Sequence, residues 1–340
     1  MKVSIIIPTK NRINMLNECI NSIENQSRKP EEIIIIGDVS DILTNEFIKN
    51  LKSNMNIIYL SMTGGTCKKR NQGIKQSNGD VLLFMDDDAI LQRDYIKHLI
   101  SAFINENIHV MTGYIFDSID LISPPLKRKG EIDYLLKNVD DDFVKLVTEK
   151  VFMYASLSYT NKDFIMRQLR YFIKCIFLLE SHAKGKILRS GYRSEMPDLN
   201  HINGLVEVEW FYGIFAARKD VLIEFNFNED LENYPYALNE DLELAARIGK
   251  KYDIYLNSEM KLLHLRSKEQ RLNAQKRLCS FIISTYVISN IRGSKLAHSW
   301  SVCGLLLSSL VKYLFNKGSV YEFYGIIDGL KSITSSRCKK

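Results

Sequence analysis

At 340 residues, 46% of them apolar and 25% charged, the chain can bury one large core or two ordinary ones, and this composition excludes a disordered protein. Its six cysteines are scattered, with no CxxC pair and no histidine at finger spacing, which excludes a legible zinc finger and reads as reduced thiols in a cytoplasmic protein. The net charge of +6 is uneven: from Lys261 onward fourteen Lys and Arg face three acids, so the basic surplus sits in the C-terminal part, and no nucleic-acid partner is expected.

The opening run at residues 3–7 is too short for the apolar region of a signal peptide and is closed by Pro8, so it reads as a buried strand. Similar β-branched runs follow at 33–36, 56–60 and 81–85, with a fifth strand at 109–113. Between them Leu16, Ile20 and Ile23 recur at helical spacing, then Ile42, Phe47, Ile48 and Leu51, then Ile96, Leu99, Ile100 and Phe103. Alternation of this kind predicts an α/β fold with a Rossmann-like, mostly parallel central sheet flanked by helices. From 116 to 205 the pattern loosens around Pro124-Pro125 and an acidic stretch at 140–142, with an apolar helical segment near 172–179; this is read as a variable, partly helical insert. Order returns over 206–268, with strands at 206–211, 213–217 and 254–256 and a helix beginning near Asn239. Residues 269–340 form a helical C-terminal region.

Ligands of parallel α/β sheets bind beyond the carboxyl ends of the strands, so polar residues at those points are the first candidates. After strand one stand Pro8-Thr9-Lys10-Asn11-Arg12, and after strand two Gly37-Asp38-Val39-Ser40-Asp41. Asp38 could accept from a base or ribose while Thr9 and Arg12 touch a nucleotide; equally, Asp38 and Ser40 could be loop and cap residues. After strand four come Asp86-Asp87-Asp88. Three adjacent carboxylates repel one another unless a cation offsets them, and carboxylates suit Mg²⁺ or Mn²⁺ together with phosphate oxygens. Alternation along an extended chain places Asp86 and Asp88 on one side and Asp87 on the other. The competing reading is an exposed acidic turn that caps the next helix.

Asn239 can cap a helix whose first turn holds Glu240 and Asp241, where acids also favour the helix dipole; the same geometry holds a carboxylate rigidly, as a general base requires. Lys69 and Arg70, after Gly64-Gly65, either contact a diphosphate, orient the carboxylates or lie on a solvated helix end. His264 closes an apolar run and is either structural or a metal ligand.

In this order the pieces resemble family 2 glycosyltransferases: Ile7-Pro8-Thr9-Lys10-Asn11-Arg12, Asp38, Gly65 with Arg70-Asn71, Gly79-Asp80, the run Asp86-Asp87-Asp88, Glu240-Asp241 and His264. The resemblance spans about residues 2–115 and 205–266 and implies a GT-A fold, with 1–115 as its nucleotide-sugar-binding half and 206–268 as its acceptor-side half. It further implies Asp38 at the base, Asp86 near the ribose or donor sugar, and Asp88 on the metal, with His264 as a further metal or diphosphate contact. Pro8, Thr9, Arg12, Lys69, Arg70 and Asp87 fall on the donor side. Asp241, or less so Glu240, becomes the catalytic base, and Trp210, Tyr212, Gly213 and Arg218 border the acceptor. Many members carry two acids after the second strand; here Gly37 replaces the first.

The implied reaction moves a sugar from a nucleotide-diphosphate sugar to a hydroxyl of a glycan or lipid-linked glycan, by a single metal-assisted displacement with inversion. A nucleotidyltransferase is the enzymatic rival, but the segment after strand one is not a glycine-rich phosphate loop. A non-catalytic binding protein or scaffold of the same fold is the other rival, opposed by the intact Asp88, Asp241 and His264. Residues 300–315, with Lys295, Lys312 and Lys317, are too short and polar for a membrane span. They either lie peripherally on the inner membrane surface, where a lipid-linked acceptor is found, or pack on the catalytic domain or a second subunit of a homo-oligomer.

Overall fold

Strands β1 (Val3–Pro8), β2 (Glu32–Asp38), β3 (Ile57–Met62) and β4 (Val81–Phe84) pair in parallel in the order β3-β2-β1-β4. The computed structural model describes residues 1–105, 107–117, 142–143, 171–198, 202–234, 237–265, 273–314 and 320–335. Ile33, Ile34, Ile35 and Ile36 are all fully buried, as a continuous β-branched run requires when helices cover both faces of a sheet. Neighbouring residues feed opposite layers: Ile6, Ile34, Leu82 and Phe84 enter one core, and Ile5, Ile33, Ile35 and Leu83 the other.

Helix α1 (Ile13–Glu24) buries Leu16, Cys19, Ile20 and Ile23 on one face, and α4 (Tyr95–Asn105) brings Ile96, Leu99 and Phe103 to the same layer. The connections α2 (Ile42–Asn50) and α3 (Thr66–Gln76) complete the first half. Beyond β4, β5 (Ala89–Leu91), β6 (Val110–Asp117), β7 (Leu205–Val208), β8 (Phe215–Arg218) and β9 (Ile254–His264) extend one nine-stranded sheet in the order β3-β2-β1-β4-β8-β6-β9-β5, with β7 on β9.

The parallel pairings of β1 to β4 and of β6 with β9 carry most of the sheet, but β8 enters antiparallel between β4 and β6, and β5 and β7 run antiparallel to β9. A four-residue strand such as β8 has no periodicity from which its direction could be read. The strand expected at 254–256 is the start of the eleven-residue β9, which runs without a break to His264. Most of the insert, including Pro124-Pro125 and residues 140 and 141, lies outside the described residues.

Helices α5 (Lys219–Phe225) and α6 (Glu240–Ile248) follow β8, with a 3-10 turn at Glu229–Asn233 between them. The C-terminal region folds as α7 (Ala274–Ile291), α8 (Lys295–Leu314) and α9 (Val320–Thr334). Ile288 of α7 belongs to the main core, so this helix packs as part of the same body as the sheet. No helix among the described residues is long and apolar enough to cross a membrane.

Candidate active site

The polypeptide leaves β4 at Phe84 and delivers Asp86, Asp87 and Asp88 at the carboxyl end of the sheet. Their side chains diverge as alternation requires. Asp87 turns to the first loop, accepting from the Thr9 hydroxyl at 2.7 Å and from Arg12 at 3.0 Å. It is 3% exposed, and burial pushes its carboxyl up to about 6 against the pull of Arg12. Thr9 and Arg12, expected on a nucleotide, thus hold the acidic turn in place.

Asp86 and Asp88 face the other way, toward His264 at the end of β9. The His264 Nε2 lies 3.1 Å from Asp88 Oδ1 and 3.9 Å from Asp86 Oδ2. Register fixes the meeting: Ala89 pairs with His264, and the Leu265 N–H donates to the Asp88 carbonyl at 2.8 Å. One ligand atom from each of the three residues lies within 4.8 Å of the other two. Two carboxylates and one imidazole fit a divalent cation, with Asp86 and His264 partly exposed and so open to further oxygen ligands. Asp86, expected near the ribose or donor sugar, also lies within reach of an ion that Asp88 and His264 could hold.

Arg70, on α3, is the counter-ion beneath this cluster. Its side chain is 2% exposed and donates to Glu240 Oε1 at 2.7 Å, to Asp86 Oδ1 at 3.0 Å and to the Gly213 carbonyl at 3.3 Å. Burial opposes its charge, yet Glu240, Asp86 and Asp241 outweigh that and hold it firmly protonated. Gly213 makes room: a Cβ there would come within 2.8 Å of the guanidinium. Lys69, beside Arg70 on α3, is buried and donates to the Thr9 carbonyl at 3.0 Å, so it supports the first loop.

Glu240 and Asp241 open α6. Burial raises both carboxyls above the ordinary range; the Asp241 charge adds to this at Glu240 and that of Asp86 at Asp241, Arg70 pulls both down, and Arg193 pulls Asp241 down most. The Asp241 carboxylate accepts from the Leu242 N–H at 2.8 Å. Asn239 does not cap this helix: it sits in the left-handed region at φ 60°, and its amide donates to Ser284 Oγ of α7.

In the crevice between β1 and β2, Asp38 accepts from the Ser40 hydroxyl and backbone and from Lys10 at 3.0 Å, which hold its carboxyl well below the usual range. Lys10 had no assigned role from sequence; only its place in the loop after β1 marks it. Pro8 ends β1 beside this crevice. Gly37 has a steric cause, because a Cβ there would lie 2.1 Å from the Tyr59 hydroxyl, whose ring fills the space an acid would need.

Of the residues expected to border the acceptor, Trp210 is buried and Tyr212 packs edge-on against it at 4.8 Å. Arg218 is not brought there. It pairs with Val81 at the start of β4, and its guanidinium donates to the carbonyls of Ile108 and Phe103, so it is structural. Two other residues at the site escaped the sequence reading. Arg193, from a turn of the insert, stacks on Trp210 at 4.2 Å. Glu232 closes the start of α3 by accepting from the N–H groups of Gly65 and Lys68, an end otherwise fit for an anion.

The glycosyl transferase family 2 model matches residues 4–159. The poly(ribitol-phosphate) beta-glucosyltransferase of Bacillus spizizenii is 24% identical over 294 residues, 83% of this chain and 45% of that protein. The GalNAc(5)-diNAcBac-PP-undecaprenol beta-1,3-glucosyltransferase of Campylobacter jejuni is 29% identical over 168 residues, 48% of this chain and 54% of that protein. A crystal structure of S. aureus TarS 1–349 in complex with UDP-GlcNAc superposes with a TM-score of 0.53 at 14% identity, over 97% of this chain and 80% of that one, a likeness of fold. Across the curated relatives the matched region spans 16% to 54% of their length. The family model thus covers the part of the chain that carries Asp38 and the acidic run, and the likeness to the TarS structure extends the same fold over nearly the whole length: residues 4–159 are a glycosyl transferase family 2 region.

Proposed function

We propose that the chain transfers a sugar from a nucleotide-diphosphate donor to a hydroxyl of a glycan or lipid-linked acceptor, by single displacement with inversion. The observation that carries this reading is the sharing of Arg70 between Asp86 of the metal-binding set and Glu240 beside Asp241, which holds a donor-activating and a proton-accepting group on one scaffold. A divalent cation, Mg²⁺ or Mn²⁺, held by Asp88, His264 and Asp86 would neutralise charge on the departing diphosphate. Asp241 takes the proton from the acceptor hydroxyl as its oxygen bonds to the anomeric carbon, and the electron pair of the broken bond leaves with the diphosphate. Glu240, tied to Arg70, keeps that cation against Asp86. Lys10 and Asp38 border the crevice suited to the nucleoside.

Nucleoside diphosphate released from a panel of sugar nucleotides with Mn²⁺ tests the reading; silence across the panel with no donor binding favours a scaffold. Asp88→Ala and Asp241→Asn should each abolish most transfer, with only the first weakening metal-dependent donor binding. Equal loss of binding in both would reject this division of roles.

Leu296, Trp300, Leu307, Leu310 and Leu314 of α8 and Tyr321 and Tyr324 of α9 are exposed, and α8 contains no acid. Such a face supports a peripheral membrane contact near a lipid-linked acceptor, and competes with a homo-oligomer contact. Since α7 is part of the core, the informative variant is Leu307→Asp with Leu310→Asp and Leu314→Asp. Unchanged flotation with anionic liposomes would remove the membrane contact.

A further inference from the structure

Resting on the transferase reading, we infer that the acceptor carries a phosphate ester close to the hydroxyl that is glycosylated, and that Arg193 receives it. Arg193 stands on a turn that the fold holds rigidly. The Ile187 and Arg193 backbones bridge, and Gly191 turns the chain at φ +85°, where a Cβ would lie 2.0 Å from the Thr285 carbonyl of α7. Glu209 anchors the turn by accepting from the Ile187 N–H at 3.0 Å and from Arg292 at 2.7 Å.

The arrangement spends the local aromatic surface on a cation. The Arg193 guanidinium lies 4.2 Å from the Trp210 ring and 5.0 Å from that of Tyr212, and Trp210 is 1% exposed. Trp210 therefore offers no open face on which a neutral sugar could stack; it is a stand for the guanidinium. Of the neighbouring cations, Lys186 and Arg292 pair with Glu209 and Lys184 with Glu195, while Arg189 of the same turn is exposed. Arg193 makes no ion pair among the described residues. Its charge nevertheless reaches Asp241, the group that takes the proton from the attacking hydroxyl. A fixed guanidinium with free donors beside the base suits an anion on the acceptor, and a planar fork matches phosphate oxygens. A phosphodiester of a polyol-phosphate polymer and the diphosphate of a lipid-linked saccharide share this chemistry.

The test uses the full chain with Mn²⁺ and tryptophan fluorescence, in a Trp300→Phe background that leaves Trp210 as the sole tryptophan. Ribitol 5-phosphate should give a saturable change and ribitol none. Arg193→Ala should weaken the phosphate's binding by about tenfold or more, and Arg193→Lys, which keeps the charge, should recover part of it. Unchanged thermal melting of both variants shows that they are folded. Equal binding by Arg193→Ala, equal binding of ribitol, or no binding of ribitol 5-phosphate overturns the inference. Competition by poly(ribitol phosphate) and by an undecaprenyl-diphosphate-linked saccharide then identifies the source, and failure of both to compete also overturns it. Donor cleavage by the unsubstituted chain is measured separately: its absence rejects the transferase reading without touching the phosphate titration.

Discussion

Arg70→Met keeps an unbranched apolar stem at a buried position and removes the charge and donors. The carboxylates of Glu240 and Asp86 and the Gly213 carbonyl would then lose partners at 2.7, 3.0 and 3.3 Å around a side chain that is 2% exposed. Removing one member of a buried ionic set costs about 3–5 kcal/mol. Over 340 residues the unfolding entropy amounts to roughly 0.7 kcal/mol per kelvin, so a loss of about 4 kcal/mol lowers Tm by about 6 °C.

The sign with pH follows from Glu240 and Asp241, whose carboxyls burial already raises. A folded state that binds protons more readily than the unfolded one loses stability as pH rises above the ordinary carboxylate range. Without Arg70 these carboxyls rise further and the losing range extends upward, so the variant's deficit grows with pH. Calorimetric melting of both proteins at pH 5 and pH 8 measures this. A Tm loss under about 2 °C at pH 8, or one that is larger at pH 5, refutes Arg70 as the shared counter-ion.

Asp87, raised to about 6 in the folded protein against 3.8 unfolded, makes stability fall as pH climbs between those values and stay level above; Asp87→Asn should flatten that fall in urea midpoints across pH 4 to 7. Gly37→Asp should cost about 1–3 kcal/mol by overpacking against Tyr59, part of which Tyr59→Ala restores in the double variant; a single variant as stable as the parent sinks the steric account. Asp88→Asn and His264→Ala should each weaken Mn²⁺ binding by at least about tenfold in a paramagnetic resonance titration, and unaltered affinity in either removes that residue from the set.

What could be read from the sequence was local. Ile33 to Ile36 announced a strand buried on both faces, and the alternation of Asp86, Asp87 and Asp88 gave their two directions because an extended chain has a period of two. His264 was found because a histidine closing a long apolar run stands at a strand end. Arg218 entered only through the resemblance, and its place was not legible because β8 runs antiparallel to β4, which carries Arg218 to the start of β4 and away from the acidic run. Arg193 and Glu232 were illegible because each acts on a partner far away in sequence, through a turn without periodicity. Gly37 was noticed as a departure, but its cause, the ring of Tyr59 on the neighbouring strand, is a matter of register.

The place of β8 in the sheet sets a schedule for synthesis. Once β6 has emerged, β4 has one edge unpaired and β6 has both, and the strand that closes the gap begins about a hundred residues later. At translation rates of about 5–20 residues per second, those edges stay open for roughly 5–20 s. During that interval the nascent chain presents Val81–Phe84 and Val110–Asp117 as apolar templates for pairing with other chains. Holding by a chaperone at the ribosome, and slower elongation avoided between these strands, should therefore govern the yield of soluble protein more than its final stability does.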